Sequence, residues 1–213
     1  MKITLTDAGK RFNRDWIFRH LNYEFIPRQH YAITGPNGSG KSTLLQVIAG
    51  AIGISEGRAD YLSYPAGDPI QPDHAYRYLS LSAPYLDLVE ELTATEFLRF
   101  HEVFKPFLTG LQVSAMLTAV GLGAAADKQI RFFSSGMKQR LKLAQALFSD
   151  TAVLLLDEPC TNLDAEGVAM YRRLIGEYGG GRLIIVSSND PQEYDFCTET
   201  LDILQYKPAA AHR

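Results

Sequence analysis

A surplus of positive charge is the first thing missing from this chain: 21 Lys and Arg stand against 24 Asp and Glu, a net charge of −3 at pH 7. Without a basic face to neutralise phosphates, nucleic acid is not expected as a partner. Cysteine is scarce as well. Cys160 and Cys197 have neither metal-ligand spacing nor a secretory context, which excludes a disulfide framework and reads as reduced thiols. No stretch approaches the ~18 consecutive apolar residues that a membrane span needs. The opening MKITLTDAGKRF lacks the charged-then-apolar plan of a signal peptide. Internal repeats and low-complexity tracts are absent too. The expectation is a cytoplasmic chain that reaches a membrane only by way of a partner. What is present is ordinary for a globular protein, 46% apolar and 21% charged over 213 residues. That is enough for one domain with a lobe inserted in it.

Against this plain background stands one dense string, Gly35-Pro36-Asn37-Gly38-Ser39-Gly40-Lys41-Ser42-Thr43. It fits the phosphate-loop pattern G-x-x-x-x-G-K-[ST] without a gap. Successive backbone N–H groups in such a loop wrap the phosphates of a nucleotide, and glycine lets the chain approach that closely. Lys41 is expected to reach the β- and γ-phosphates, and the Ser42 hydroxyl to help hold Mg²⁺. The flanks agree: Gln29–Thr34 is a short apolar run that favours a strand, and Ser42–Ala49 has helical spacing, with aliphatic residues at 44, 45, 47 and 48. Strand, loop and helix in that order separate a phosphate loop from a glycine-rich turn with a chance lysine.

Elsewhere the patterns alternate between strand and helix. Residues 1–34 predict two or three short strands, and 53–82 brief β segments between turns. Thr93-Ala-Thr-Glu96 is a capping-box pattern that opens a helix. Helical spacing recurs at 113–120 and at 134–148, which makes residues of about 84–148 a mainly helical lobe. Thr151–Asp157 and Gly181–Ser188 read as apolar strands of a parallel sheet buried on both faces. Residues 164–178 predict a helix, 190–196 a short capped helix, and 198–206 a closing strand. An α/β fold with a mainly parallel core follows.

The run VLLLDEP sets carboxylates at the C-terminal end of one buried strand, where open α/β sheets bind ligands. Asp157 suits an Mg²⁺ ligand, and Glu158 suits the base that orients or deprotonates a water attacking the γ-phosphate. Phe133-Ser-Ser-Gly-Met-Lys-Gln-Arg140 then opens a helix with Ser134 as its cap, and a hydroxyl at a helix N-terminus is a natural phosphate cap.

With these pieces the sequence resembles the ATP-binding subunit of an ABC transporter over residues 1–206, leaving 207–213 as a tail. The family's signature loop, usually Leu-Ser-Gly-Gly-Gln, is kept at Ser134 and Gly136, while Ser135 and Met137 depart from it. Thr161-Asn162-Leu163-Asp164 matches the loop after the catalytic glutamate, which communicates across the family's dimer. Phe12 stands where the family places an aromatic that stacks on adenine, with Trp16 as its rival. The resemblance implies a phosphate-loop NTPase core, an N-terminal antiparallel β subdomain and an inserted helical subdomain. It also implies ATP with Mg²⁺ as ligands, and a head-to-tail sandwich with a second copy or a paralogue. A separate membrane-spanning subunit would dock in a groove involving Tyr85, Leu86 and Leu88, and the chain would sit on the cytoplasmic face through that partner. The compact chain resembles export-type systems.

Two positions break the family pattern. Ser82 stands where a glutamine usually senses Mg²⁺ and water, and Asn189 where a histidine usually holds the γ-phosphate and the water. Asparagine can donate a hydrogen bond but cannot pass a proton. With Glu158 present, the expectation is slow ATP hydrolysis powering transport. The alternative is a nucleotide-gated dimerisation module that hardly hydrolyses. A small-molecule kinase has no use for the 134–140 and 157–164 segments.

Overall fold

The longest strands lie at the start of the chain, where apolar and polar residues alternate. In the computed structural model, which describes residues 1–208, β1 (Lys2–Phe12) and β2 (Asp15–Phe25) form an antiparallel hairpin. They run 11 residues each, longer than the brief strands expected, because Asp7 and His20 at positive φ absorb bulges without ending the pairing, and Asn13, also at positive φ, turns the chain between them. The chain continues through β3 (His30–Thr34), α1 (Lys41–Ile48), β4 (Glu56–Leu62), β5 (Pro69–Ile70) and β6 (Leu79–Ser82). Next come α2 (Ala94–Phe104), α3 (Val113–Ala119), α4 (Ser135–Phe148) and β7 (Val153–Asp157), and finally α5 (Ala165–Tyr178), β8 (Leu183–Ser187) and β9 (Glu199–Asp202).

Two sheets result. One is antiparallel, in the order β2-β1-β4-β5; the other has five parallel strands in the order β6-β7-β8-β3-β9. Strand order reverses next to β3, so the loop after it opens at the C-terminal edge of the sheet, where a ligand fits. All five residues of β7 and of β8 are buried, as their unbroken apolar runs require. Alternate side chains serve different interiors. Leu154, Leu156, Ile184 and Val186 pack with α2–α5, whereas Val153, Leu155, Leu183 and Ile185 pack with α1 and the antiparallel sheet. Each such side chain contributes about 1.5–3 kcal/mol by leaving water.

The expected helix over 190–196 is a single 3₁₀ turn at Pro191–Glu193. Asp190 caps it, but Tyr194 leaves helical geometry (φ −137°), and the buried groups of Glu193 bond elsewhere. Likewise, 198–206 is a four-residue edge strand followed by a 3₁₀ turn. Of the tail, residues 209–213 lie outside the described residues.

One polar device fastens the lobe to the sheet and another caps its first helix. The Arg182 guanidinium, 6% exposed, donates to Leu147 O (2.8 Å), Thr151 O (2.9 Å) and the hydroxyls of Ser80 and Thr151, joining the end of α4 to β6 and β7. Burial lowers its pKa to about 10, so it stays charged at neutral pH. At the start of α2, Thr93 Oγ1 accepts from the Glu96 N–H (3.2 Å) while Glu96 Oε2 accepts from the Thr93 N–H (2.8 Å). Losing that reciprocal cap in Thr93→Ala is expected to cost about 1 kcal/mol. In a chain of this size that is a fall in Tm of about 2–4 °C by calorimetry; an unchanged Tm would mean the cap is dispensable.

Candidate functional site

The phosphate loop begins where β3 ends. Gly35, Gly38 and Gly40 take φ of +142°, +73° and +101°. At Gly40 a Cβ would lie 2.2 Å from Ile17 Cγ2, so the β1–β2 hairpin closes against the loop and leaves room only for glycine. Pro36 and Asn37 stand exposed at the tip. Lys41 is 4% exposed, and its ammonium donates to the carbonyls of Gly35 (2.9 Å) and Pro36 (3.3 Å), inside the ring of the loop. No side chain caps α1 and no acid occupies its first turn, so its leading N–H groups, at Ser42 and Thr43, are left for an anion.

Asp157 ends β7. Its carboxylate is 1% exposed, and neither oxygen has a hydrogen-bond partner. Burial pushes its pKa up; the nearby hydroxyls of Ser187 and Ser42 and the Lys41 charge pull it down without overcoming that, although neither hydroxyl meets hydrogen-bond geometry. Ser39 Oγ and Ser187 Oγ are likewise buried and unpartnered. A buried carboxylate without a partner costs several kcal/mol if ionised. Carboxylate and hydroxyl oxygens are hard donors of the kind Mg²⁺ prefers. The residues therefore fit that ion, with Asp157 and Ser42 as the groups that would hold it.

Glu158 adopts φ +42°, an uncommon conformation for a side-chain-bearing residue, and its N–H donates to Ser187 O at 2.9 Å. Its carboxylate is half-buried, with the Thr161 hydroxyl 3.4 Å from Oε2. Asn189, just beyond β8, donates from Nδ2 to Asn37 Oδ1 at 3.3 Å. The structure thus gathers the phosphate loop, Asp157, Glu158 and Asn189 at one edge of the sheet.

Ser82 ends β6, in register with Leu156 and one residue short of Asp157; its hydroxyl is fully buried and unpartnered. The segment after it brings Tyr85 close. Burial, then the charge of Asp157, raise the pKa of that phenol, and the Gln46 side chain of α1 lies beside it. An aromatic in a loop carries no sequence signal for such a place. Phe12 is 50% exposed at the tip of the hairpin, with the Lys10 ammonium 5.0 Å from its ring centroid. Trp16, its rival, is already flanked by the guanidinium groups of Arg11 (5.4 Å) and Arg19 (4.5 Å). Both thiols are driven well above their usual range by burial, which fits inert cysteines.

Ser134 and Gly136 lie apart from this edge, in a pocket of about 370 Å³ that they share with Arg140, Asn162 and Asp164 and that no phosphate-loop residue lines. Ser134 Oγ caps its own helix through the Met137 N–H (3.2 Å), and a Cβ on Gly136 would meet Asn162 O at 2.9 Å. Arg140 is paired there with Asp164 at 3.2 Å, so the pocket carries charge of both signs.

A family profile described as "ABC transporter" matches residues 18–161. The chain is 30% identical over 195 residues to the cytochrome c biogenesis ATP-binding export protein CcmA of Agrobacterium fabrum, covering 90% of each. It is 35% identical to the zinc import ATP-binding protein ZnuC of Cereibacter sphaeroides, covering 84% of this chain and 69% of that one. In three dimensions it is similar, with a TM-score of 0.79 at 21% identity over 94% of both chains, to a dimeric ATP-binding cassette in a post-hydrolysis state with bound ADP and phosphate.

Proposed function

Because the chain belongs to the ABC transporter family of ATP-binding subunits, we propose that it binds and slowly hydrolyses ATP to drive a separate membrane-spanning partner. The observation that carries this reading is the pair of separated half-sites: the phosphate loop with Asp157 and Glu158 on one surface, the Ser134–Gly136 pocket on another. A second copy or a paralogue, turned head to tail, supplies to each phosphate loop the pocket it lacks.

Backbone N–H groups of residues 35–43 and the Lys41 ammonium hold the phosphates, and Phe12 offers its free face to adenine. Asp157 and Ser42 would hold Mg²⁺, which would supply neutralisation of phosphate charge. Glu158 takes a proton from the attacking water, whose oxygen bonds to the γ-phosphorus as the bond to the ADP oxygen breaks. Asn189, held at the loop tip, donates an amide hydrogen bond there. Ser82, the Gln46 side chain and Tyr85 border the Asp157 end of the site. Of the residues expected to seat the membrane subunit, Tyr85 is 45% exposed and supports docking on the 84–91 segment, whereas Leu88 packs against the interior of the helical lobe; through that partner the chain would sit on the cytoplasmic face. Export is the direction we favour, by likeness to the relative matched over nine-tenths of both lengths.

The test is ATP turnover with Mg²⁺ against protein concentration. Turnover per chain is expected to rise with concentration. Asn189→His is expected to speed it about tenfold, the ~1.4 kcal/mol by which a charged hydrogen bond exceeds a neutral one. A flat rate that never exceeds the Glu158→Gln background would overturn the ATPase reading. Asn189 in place of histidine would then favour a nucleotide-gated module.

A further inference from the structure

Glu193 is a buried acid that the chemistry above does not use. It lies in the 3₁₀ turn after β8, is 4% exposed, and its Oε1 accepts from the Cys160 N–H at 2.7 Å. Cys160 is two residues past Glu158, inside the tight turn closed by the Thr161 N–H to Glu158 O (3.1 Å). The far side of that turn is held by the same segment, because the Glu158 N–H donates to Ser187 O. Glu193 is itself fixed by its N–H to Asp190 O (3.0 Å) and by the Tyr171 hydroxyl of α5, which donates to Glu193 O at 2.8 Å. Ser188 Oγ, accepting from the Asp190 N–H (2.9 Å), stiffens the same stretch on either side of Asn189.

Residues 187–193 therefore present Asn189 to the phosphate loop and, from the two ends of the same run, clamp the turn that carries Glu158. A left-handed conformation at Glu158 persists only when its surroundings over-determine it, and the Glu193 carboxylate supplies one of the two clamps. We propose that Glu193 is a positioning residue that ties the Asn189 segment to the Glu158 turn, so that a phosphate contact at Asn189 is transmitted to the base. This rests on Glu158 acting as proposed above.

The experiment compares Glu193→Ala, Glu193→Gln and Thr93→Ala, the last a stability control at the remote capping box. Without nucleotide, hydrogen exchange over 158–164 is expected to be about tenfold faster in Glu193→Ala than in the unaltered chain. Glu193→Gln, which keeps an acceptor oxygen for the Cys160 N–H, restores it. In turnover, Glu193→Ala is expected to lose about ten- to a hundredfold in kcat, the scale of a misplaced catalytic group. KM for ATP should stay within about twofold, as for an interaction made only in the transition state. Thr93→Ala lowers Tm and leaves kcat alone. The proposal is overturned if exchange at 158–164 is unchanged in Glu193→Ala, if kcat falls no further than in Thr93→Ala, or if glutamine fails as badly as alanine. Should turnover of the unaltered chain not exceed that of Glu158→Gln, the ATPase reading fails instead, and exchange still decides whether Glu193 holds the turn.

Discussion

Glu158→Gln is expected to lower ATP turnover by at least about a hundredfold, the low end of what a positioned base contributes, while ATP binding stays within a few-fold of the unaltered chain. The two side chains have the same shape, and the Thr161 hydroxyl, 3.4 Å from Oε2, can meet the amide oxygen as well as the carboxylate. What disappears is an atom able to accept a proton at neutral pH. The phosphate grip at Gly35–Thr43 and the buried Asp157 are untouched, so nucleotide should still load. Phosphate release measured beside equilibrium ATP binding separates the two effects. Equal turnover by variant and unaltered chain would remove Glu158 from the chemistry. A matching loss of binding would mean that its charge serves the grip rather than the reaction.

Gly40→Ala is expected to be the most damaging single-methyl change in the phosphate loop, and Gly38→Ala a mild one. Both positions have positive φ (+101° and +73°), so both suffer backbone strain of about 1–3 kcal/mol. They differ in what the methyl meets. At Gly38 there is nothing within 4 Å; at Gly40 it lands 2.2 Å from Ile17 Cγ2, on β2. Forcing that contact apart adds about 1–3 kcal/mol of overpacking, a large share of the 5–15 kcal/mol typical of a whole domain. It also shifts the N-terminus of α1, where the phosphates would sit. Urea unfolding with ATP titration should show Gly40→Ala losing both stability and binding, and Gly38→Ala losing only the stability that backbone strain costs. Equal effects would mean that backbone strain alone governs this loop.

Much of this site could be read from one-dimensional pattern, for identifiable reasons. The phosphate loop is local, so nine consecutive residues carry its whole signal. The strands ending at Asp157 and Ser187 are buried on both faces, so their apolar runs cannot be mistaken for surface. The hairpin is less legible, since Asp7 and His20 at positive φ shift the register and break the alternation that would reveal two long strands. The helix expected at 190–196 fails because a cap and a proline announce a start but not a length. The groups that end it, Cys160 and Tyr171, are 33 and 22 residues away. Glu193 and Arg182 are invisible for a related reason: as letters they are surface residues, and only tertiary contacts reveal them as buried joints. The separation of the Ser134 pocket from the phosphate loop is likewise a property of folding in space, which no spacing encodes.

The alternation along β7 carries a last consequence. Leu154 and Leu156 belong to the helical lobe's interior, Val153 and Leu155 to the nucleotide core's, and Asp157 stands at the end of that same five-residue strand. It is a party wall. A lobe that fails to seat, through truncation, proteolysis or loss of the core side chains that pack on β7, strips the wall on one side and unsettles the carboxylate at its tip. A damaged lobe and an intact hydrolytic edge are therefore hard to combine in one molecule. The part that would meet a membrane partner and the part that would consume ATP share a failure point.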